Sequence, residues 1–171
     1  IEAVFNDYRA GYQNVLSSCP TGFGKTLLMG GIVAKLIDTN VNSLMLAHRS
    51  KLLEQSREKF RYVAQAFDID PKKIDIVTKE SNAHKYAVAI ASIQSSYKWT
   101  TGLQNRGFLL VDEAHHSVSN TYRTLYKNFA EINSTWYGLG VTATAFRTNK
   151  KECLGDIFER ISFHVDLATM I

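Results

Sequence analysis

Two short stretches of this chain hold residue types that handle phosphate and water. The first is Cys19-Pro20-Thr21-Gly22-Phe23-Gly24-Lys25-Thr26. Gly22 and Gly24 let the main chain turn and approach a ligand with no Cβ in the way. Successive backbone N–H groups, backed by the positive end of a following helix, suit phosphate oxygens. Lys25 supplies a charge between β- and γ-phosphates, and Thr26 a hydroxyl for Mg²⁺. The expected ligand is ATP with Mg²⁺, held from Cys19 to Thr26. The usual pattern opens on glycine, and Cys19 stands there instead. A redox role for that thiol is conceivable; a small buried residue is the preferred reading.

The second stretch is Phe108 to His115, F-L-L-V-D-E-A-H. Four apolar residues make a buried strand, and Asp112 and Glu113 emerge at its end. Asp112 is expected to hold Mg²⁺ and Glu113 to orient and polarise the attacking water. Neighbouring carboxylates on a strand point to opposite sides, which suits two different tasks. Glu113, Lys25 and Asp112 are thus the candidate catalytic residues. The tandem His115 and His116 do not argue for zinc, because no second His or Cys pair sits at ligand spacing. His115 is expected to couple the nucleotide site to a neighbouring motif, and His116 to be exposed.

Both stretches need strands that end, and helices that begin, at one edge of a sheet. The hydrophobic pattern supplies them. Helices are predicted over 1–12, 26–38, 50–67, 92–99 and 120–132, and strands over 14–18, 43–47, 74–78, 87–91, 107–111 and 136–142. Gly155 to Ile171 reads as a last strand and a run-out. Strand–helix alternation with apolar strands predicts an α/β fold, a mostly parallel central sheet with helices on both faces. Such sheets bind ligands at the carboxyl ends of their strands, where both stretches fall.

Bulk properties set limits. The 171 residues, 45% hydrophobic, suit one domain over 1–171. A formal net charge of +4 leans weakly toward a polyanionic partner. No apolar run approaches the ~20 residues of a membrane span, so no membrane partner is expected. Two cysteines, Cys19 and Cys153, far apart in sequence, fit an intracellular, reducing compartment.

The motifs together resemble a known family. P-T-G-F-G-K-T, D-E-A-H and T-A-T (Thr142-Ala143-Thr144) are similar to motifs I, II and III of superfamily 2 helicases. L-A-H-R-S-K-L-L-E-Q, Leu46 to Gln55, resembles motif Ia. A-S-I-Q-S, Ala91 to Ser95, resembles the later nucleic-acid-contacting motif of the same lobe. The nearest branch is the DEAD/DEAH-box group related to restriction-enzyme motor subunits and RadD-type repair helicases. The resemblance spans nearly the whole chain and implies a RecA-like ATP-binding lobe. It implies that His115, Thr142, Ala143 and Thr144 couple the ATP state to nucleic-acid grip, and that His48, Arg49, Ser92 and Gln94 line the strand-binding face. The family often follows T-A-T with proline, where this chain has Ala145.

The resemblance also implies what lies elsewhere: a second RecA-like lobe with an arginine finger, and an aromatic-glutamine motif that reads adenine, expected just before residue 1. The chain is accordingly read as a piece of a longer protein. The expected partners are DNA or RNA and that second lobe. Two alternatives remain beside a helicase or translocase: a restriction-enzyme motor subunit, and a nucleotide-gated module that grips nucleic acid without moving. A small-molecule kinase would leave D-E-A-H and T-A-T unexplained. Lys51 and Arg57 are further candidates for phosphate contact, and Trp99 for stacking on a base, although packing is the preferred reading for Trp99.

Overall fold

The computed structural model describes residues 1–48, 50–144 and 153–165, excluding the side chains of Ser50 and Lys51. In chain order its regular elements are α1 (Glu2–Arg9), β1 (Asn14–Ser18), α2 (Lys25–Asp38), β2 (Ser43–Ala47), α3 (Ser50–Ala66) and β3 (Ile74–Ile76). Then follow β4 (Val88–Ser92), α4 (Ile93–Ser96), β5 (Phe108–Asp112), α5 (Asn120–Ile132), β6 (Tyr137–Thr142) and β7 (Arg160–His164). Seven strands form one sheet in the order β3-β4-β2-β5-β6-β1-β7, and every pairing is parallel.

Alternating strand residues divide the core in two. Leu16, Leu44, Leu46, Leu109 and Val111 face a layer built on Tyr122, Leu125 and Phe129 of α5. Val15, Met45, Phe108, Leu110, Leu139 and Val141 face Ile32 and Val33 of α2 and Phe60 of α3. Burial on both faces explains why these strands read as apolar runs rather than as alternation. Strand β6 differs from its neighbours, with glycine at Gly138 and Gly140. A Cβ on Gly140 would lie 2.4 Å from Phe158 Cζ and 2.8 Å from Ala114 Cβ. Hydrogen at that position lets the turn after β5 sit directly on β6.

Most predicted elements appear, several of them shorter. The first helix ends at Arg9, just before Gly11, which turns at φ 97°. The helix expected over 92–99 is only Ile93–Ser96, with Ser92 Oγ capping it by accepting the Ser95 N–H at 3.2 Å. The strand expected over 74–78 stops at Ile76. The last described strand is β7, an exposed edge whose register on β1 shifts between Leu16 and Ser17.

A buried arginine joins the opposite, amino-terminal edge of the sheet to its loops. Arg106 is 3% exposed. It donates from Nε to the Gly102 carbonyl at 3.0 Å, and from its terminal nitrogens to the carbonyls of Ser43 and Ala83. Nothing in the sequence singled it out, because a lone arginine in a loop carries no pattern.

Candidate ATP site

The phosphate loop leaves β1 at Ser18 and enters α2 at Lys25. Gly22 (φ 86°) and Gly24 (φ 87°) both adopt the left-handed conformation, which explains glycine at these two places. Gly24 is the N-cap of α2, and its carbonyl accepts from Leu27 and Leu28 at 2.8 and 3.0 Å. Among the described residues no side chain caps this helix, and its first turn has no acidic residue. Its leading N–H groups and positive dipole end are of the kind that suits an anion. Phe23 N–H closes the loop on the Pro20 carbonyl at 3.3 Å.

Cys19 is fully buried, and burial pushes its thiol above the ordinary value although Lys25 pulls it down. That favours packing over redox chemistry, since the thiolate is the reactive form. Its backbone N–H donates to the Thr142 carbonyl at 2.9 Å, which extends the β1–β6 ladder into the loop.

Asp112 is the last residue of β5, and Glu113 lies beyond the strand at φ 51°, ψ 50°. The left-handed turn, rather than the pleat of a strand, therefore separates the two carboxylates. This corrects the strand geometry expected from sequence. The conformation costs a non-glycine residue about 1–2 kcal/mol, and the Glu113 N–H offsets part of it by donating to Asp112 Oδ1 at 2.9 Å. Asp112 is 7% exposed. Burial and then the neighbouring Glu113 raise its carboxyl above the usual carboxylate range, against the Glu113 N–H and Lys25. The phosphate-loop lysine and the strand-end aspartate thus share one electrostatic environment. Such a buried carboxyl is suited to an added positive charge.

Strand β6 lies between the two motifs and ends in Thr142, which touches both. Thr142 Oγ1 shares a hydrogen bond with His115 Nδ1 at 3.0 Å and accepts the Thr144 N–H at 3.1 Å. His115 Nδ1 also lies 3.3 Å from Glu113 Oε2. His115, Thr142 and Thr144 are therefore brought together with Glu113, and Ala143 joins the two threonines.

Of the candidates for the strand-binding face, His48, Ser92 and Gln94 converge where β2 and β4 end. Ala47 pairs with Ser92 in register, and Gln94 Nε2 donates to the His48 carbonyl at 3.2 Å. Arg49 lies outside the described residues, as do the Lys51 side chain and Ala145. Arg57 is engaged within the domain, paired with Glu54 and, at 3.4 Å, with Asp75. Trp99 is buried in the core beside Leu103, so it offers no face to a base. His116 is half-buried rather than exposed, and its ring stacks on His48 at 4.5 Å between centroids, 20° from parallel. That contact was missed because only the strand order, with β2 beside β5, brings the two rings together.

Comparison with known proteins assigns the chain to a family and a fold. Residues 1–147 match the family model described as type III restriction enzyme, res subunit. The chain belongs to that family. It is 28% identical over 186 residues to "Putative ATP-dependent helicase IRC3" of Saccharomyces cerevisiae, covering all of this chain and 26% of that protein. The helicase domain of Pyrococcus furiosus Hef superposes with a TM-score of 0.75 at 25% identity, over 94% of this chain and 37% of that one. The type ISP restriction-modification enzyme LlaGI, solved with a DNA substrate mimic, shares the fold with a TM-score of 0.67 at 12% identity, over 98% of this chain and 19% of that one. This res-family chain thus has the RecA-like fold of a superfamily 2 helicase lobe and spans about a quarter of its yeast relative. No described helix is long and apolar enough to cross a membrane.

Proposed function

We propose that this chain is the ATP-binding and ATP-hydrolysing lobe of a nucleic-acid helicase or translocase. The observation that carries the reading is the meeting of three strand ends. Beyond β1 lies the phosphate loop, β5 ends in Asp112 with Glu113 after it, and β6 ends in Thr142, bonded toward both. In this reading Lys25 and the α2 N-terminus hold the phosphates, with Cys19 to Thr26 lining them. Glu113 takes the proton of the attacking water, and His115 holds the Glu113 carboxylate in place through its 3.3 Å contact.

Thr26 and Asp112 would hold Mg²⁺. Their hard oxygen donors fit that ion, which takes few protein ligands and keeps phosphate and water in its shell. Burial that disfavours an ionised Asp112 also fits a carboxyl meant to face a cation. When bound, Mg²⁺ would neutralise charge on the phosphates.

The partner is DNA or RNA, gripped at His48, Arg49, Ser92 and Gln94, in a protein that includes a second lobe. The convergence of three of these residues at one sheet edge supports this. So does the presence of a DNA substrate mimic on LlaGI. A restriction-enzyme motor subunit is the alternative favoured by the family match, and a flanking nuclease domain would decide for it. The reading includes one domain over 1–171 and an intracellular location.

A Glu113→Gln variant of the full-length protein tests the assignment. It is expected to keep ATP affinity and to lose ATPase turnover by about 10²–10⁴-fold, the usual share of a general base. Turnover equal to the parent would remove Glu113 from the role of catalytic base.

A further inference from the structure

Beside the ATP site runs a row of rings that the reading above leaves unused. Gln94 Nε2 donates to the His48 carbonyl at 3.2 Å. The His48 ring stacks on His116 at 4.5 Å, and His116 meets His115 at 4.1 Å with planes 42° apart. His115 in turn reaches Thr142 at 3.0 Å and Glu113 at 3.3 Å. The row is therefore continuous from the β2 and β4 ends to the proposed general base. Strand order explains it. β2 and β5 are adjacent and in register, Leu46 opposite Val111, so the residue after β2 and the turn after β5 face each other.

Among the described residues His48 Nδ1 is buried with no hydrogen-bond partner. A buried polar nitrogen left in that state is costly, and on its face the ring meets His116 nearly parallel. Flat rings in contact move together, and packed interfaces of this kind change by discrete steps.

We propose that His116 and His48 are positioning residues that transmit nucleic-acid occupancy at the β2 end to Glu113 through His115. A strand seated against His48 and Gln94 shifts the His48 ring. The stack carries that shift to the 3-10 turn Ala114–His116, and the turn sets the Glu113 carboxylate against the water it activates. Coupling of this kind is a free-energy difference between two ligand states. It appears as nucleic-acid stimulation of ATPase and not as basal rate or affinity. The inference rests on the helicase or translocase reading.

The test uses the full-length protein with His116→Ala, His116→Gln and His116→Phe. ATPase is measured alone and with poly-dT or poly-U, and nucleic-acid affinity is measured separately. His116→Ala and His116→Gln are expected to keep basal turnover and nucleic-acid affinity within about twofold and to lose about tenfold in stimulation, the order of one aromatic contact. His116→Phe, which keeps a flat ring, is expected to retain at least half the stimulation. Gln fills the site should Ala disturb folding. Stimulation of the Ala or Gln variant equal to the parent overturns the proposal, as does loss of basal turnover in step with stimulation, or equal loss in Phe and Gln. A parent enzyme stimulated by neither polymer, nor by duplex DNA assayed beside them, overturns instead the motor reading on which it rests.

Discussion

Gly140→Ala places one methyl group where the structure has no room, and its consequences can be worked out atom by atom. The new Cβ would sit 2.4 and 2.6 Å from Phe158 Cζ and Cε1, and 2.8 Å from Ala114 Cβ. The Phe158 ring can tilt away. Ala114 cannot, because its Cβ moves only with the backbone that carries Glu113 and His115. Overpacking of a well-filled core costs about 2 kcal/mol, and in a domain of this size that lowers Tm by roughly 4–8 °C. Displacing Glu113 by a fraction of an ångström adds a loss of turnover that stability does not explain. Gly138→Ala is the control, because its Cβ would meet Asn14 Oδ1 at 2.2 Å and Trp136 Cζ3 at 2.9 Å, away from the turn. Thermal melts and ATPase of both variants in the full-length protein check the reasoning. Similar losses of Tm are expected, with turnover falling about tenfold or more only for Gly140→Ala, the scale of a small misplacement at a reacting centre. Adding Phe158→Leu to Gly140→Ala is expected to leave turnover low, because the 2.8 Å contact with Ala114 Cβ remains. Unchanged turnover in Gly140→Ala, or equal losses in the two single variants, would refute the claim that β6 sets the position of Glu113.

Other consequences concern stability and reactivity. Burial pulls the Arg106 guanidinium down to about 10, a desolvation cost of about 3 kcal/mol. Its three carbonyl bonds, about 1.5–3 kcal/mol each for a charged donor, exceed that cost. Arg106→Met is therefore expected to lose about 3 kcal/mol in urea denaturation. Burial pushes the Glu80 carboxyl up, but the N–H groups of Gly102 and Thr100 and its bonds to Thr101 outweigh this and hold it below the ordinary range. Its folded pKa is depressed, so its stabilisation is present above the ordinary carboxylate pKa and is lost as pH falls through the folded value. Glu80→Gln is expected to lower stability at neutral pH and to flatten the acid limb in urea melts between neutral and acid pH. Native alkylation is expected to label Cys153, which is exposed, and to spare Cys19 until denaturation, as peptide mass mapping would show. Equal labelling of both thiols would contradict the buried position of Cys19.

Much of this protein was legible in its sequence. The turn between β1 and α2 was legible because a left-handed main chain at Gly22 and Gly24 admits few residues but glycine. Asp112 was legible because carboxylates seldom follow a run as apolar as Phe108 to Val111. The boundaries of α5, β1 and β2 agreed with the apolar pattern residue for residue. Tertiary structure decided the rest. Trp99 and Arg57 had the chemistry to meet nucleic acid, but the core takes Trp99 and Asp75 and Glu54 take Arg57. The His48 and His116 rings stand 68 positions apart by their numbering and stack only because β2 lies beside β5. Gly140 has ordinary strand neighbours in sequence, and its necessity appears only when Phe158 and Ala114 close over it. Local residue types determine which chemistry is available, because backbone preference and charge act over a few residues. Strand order determines which of those groups meet, because it joins distant segments that no local pattern records.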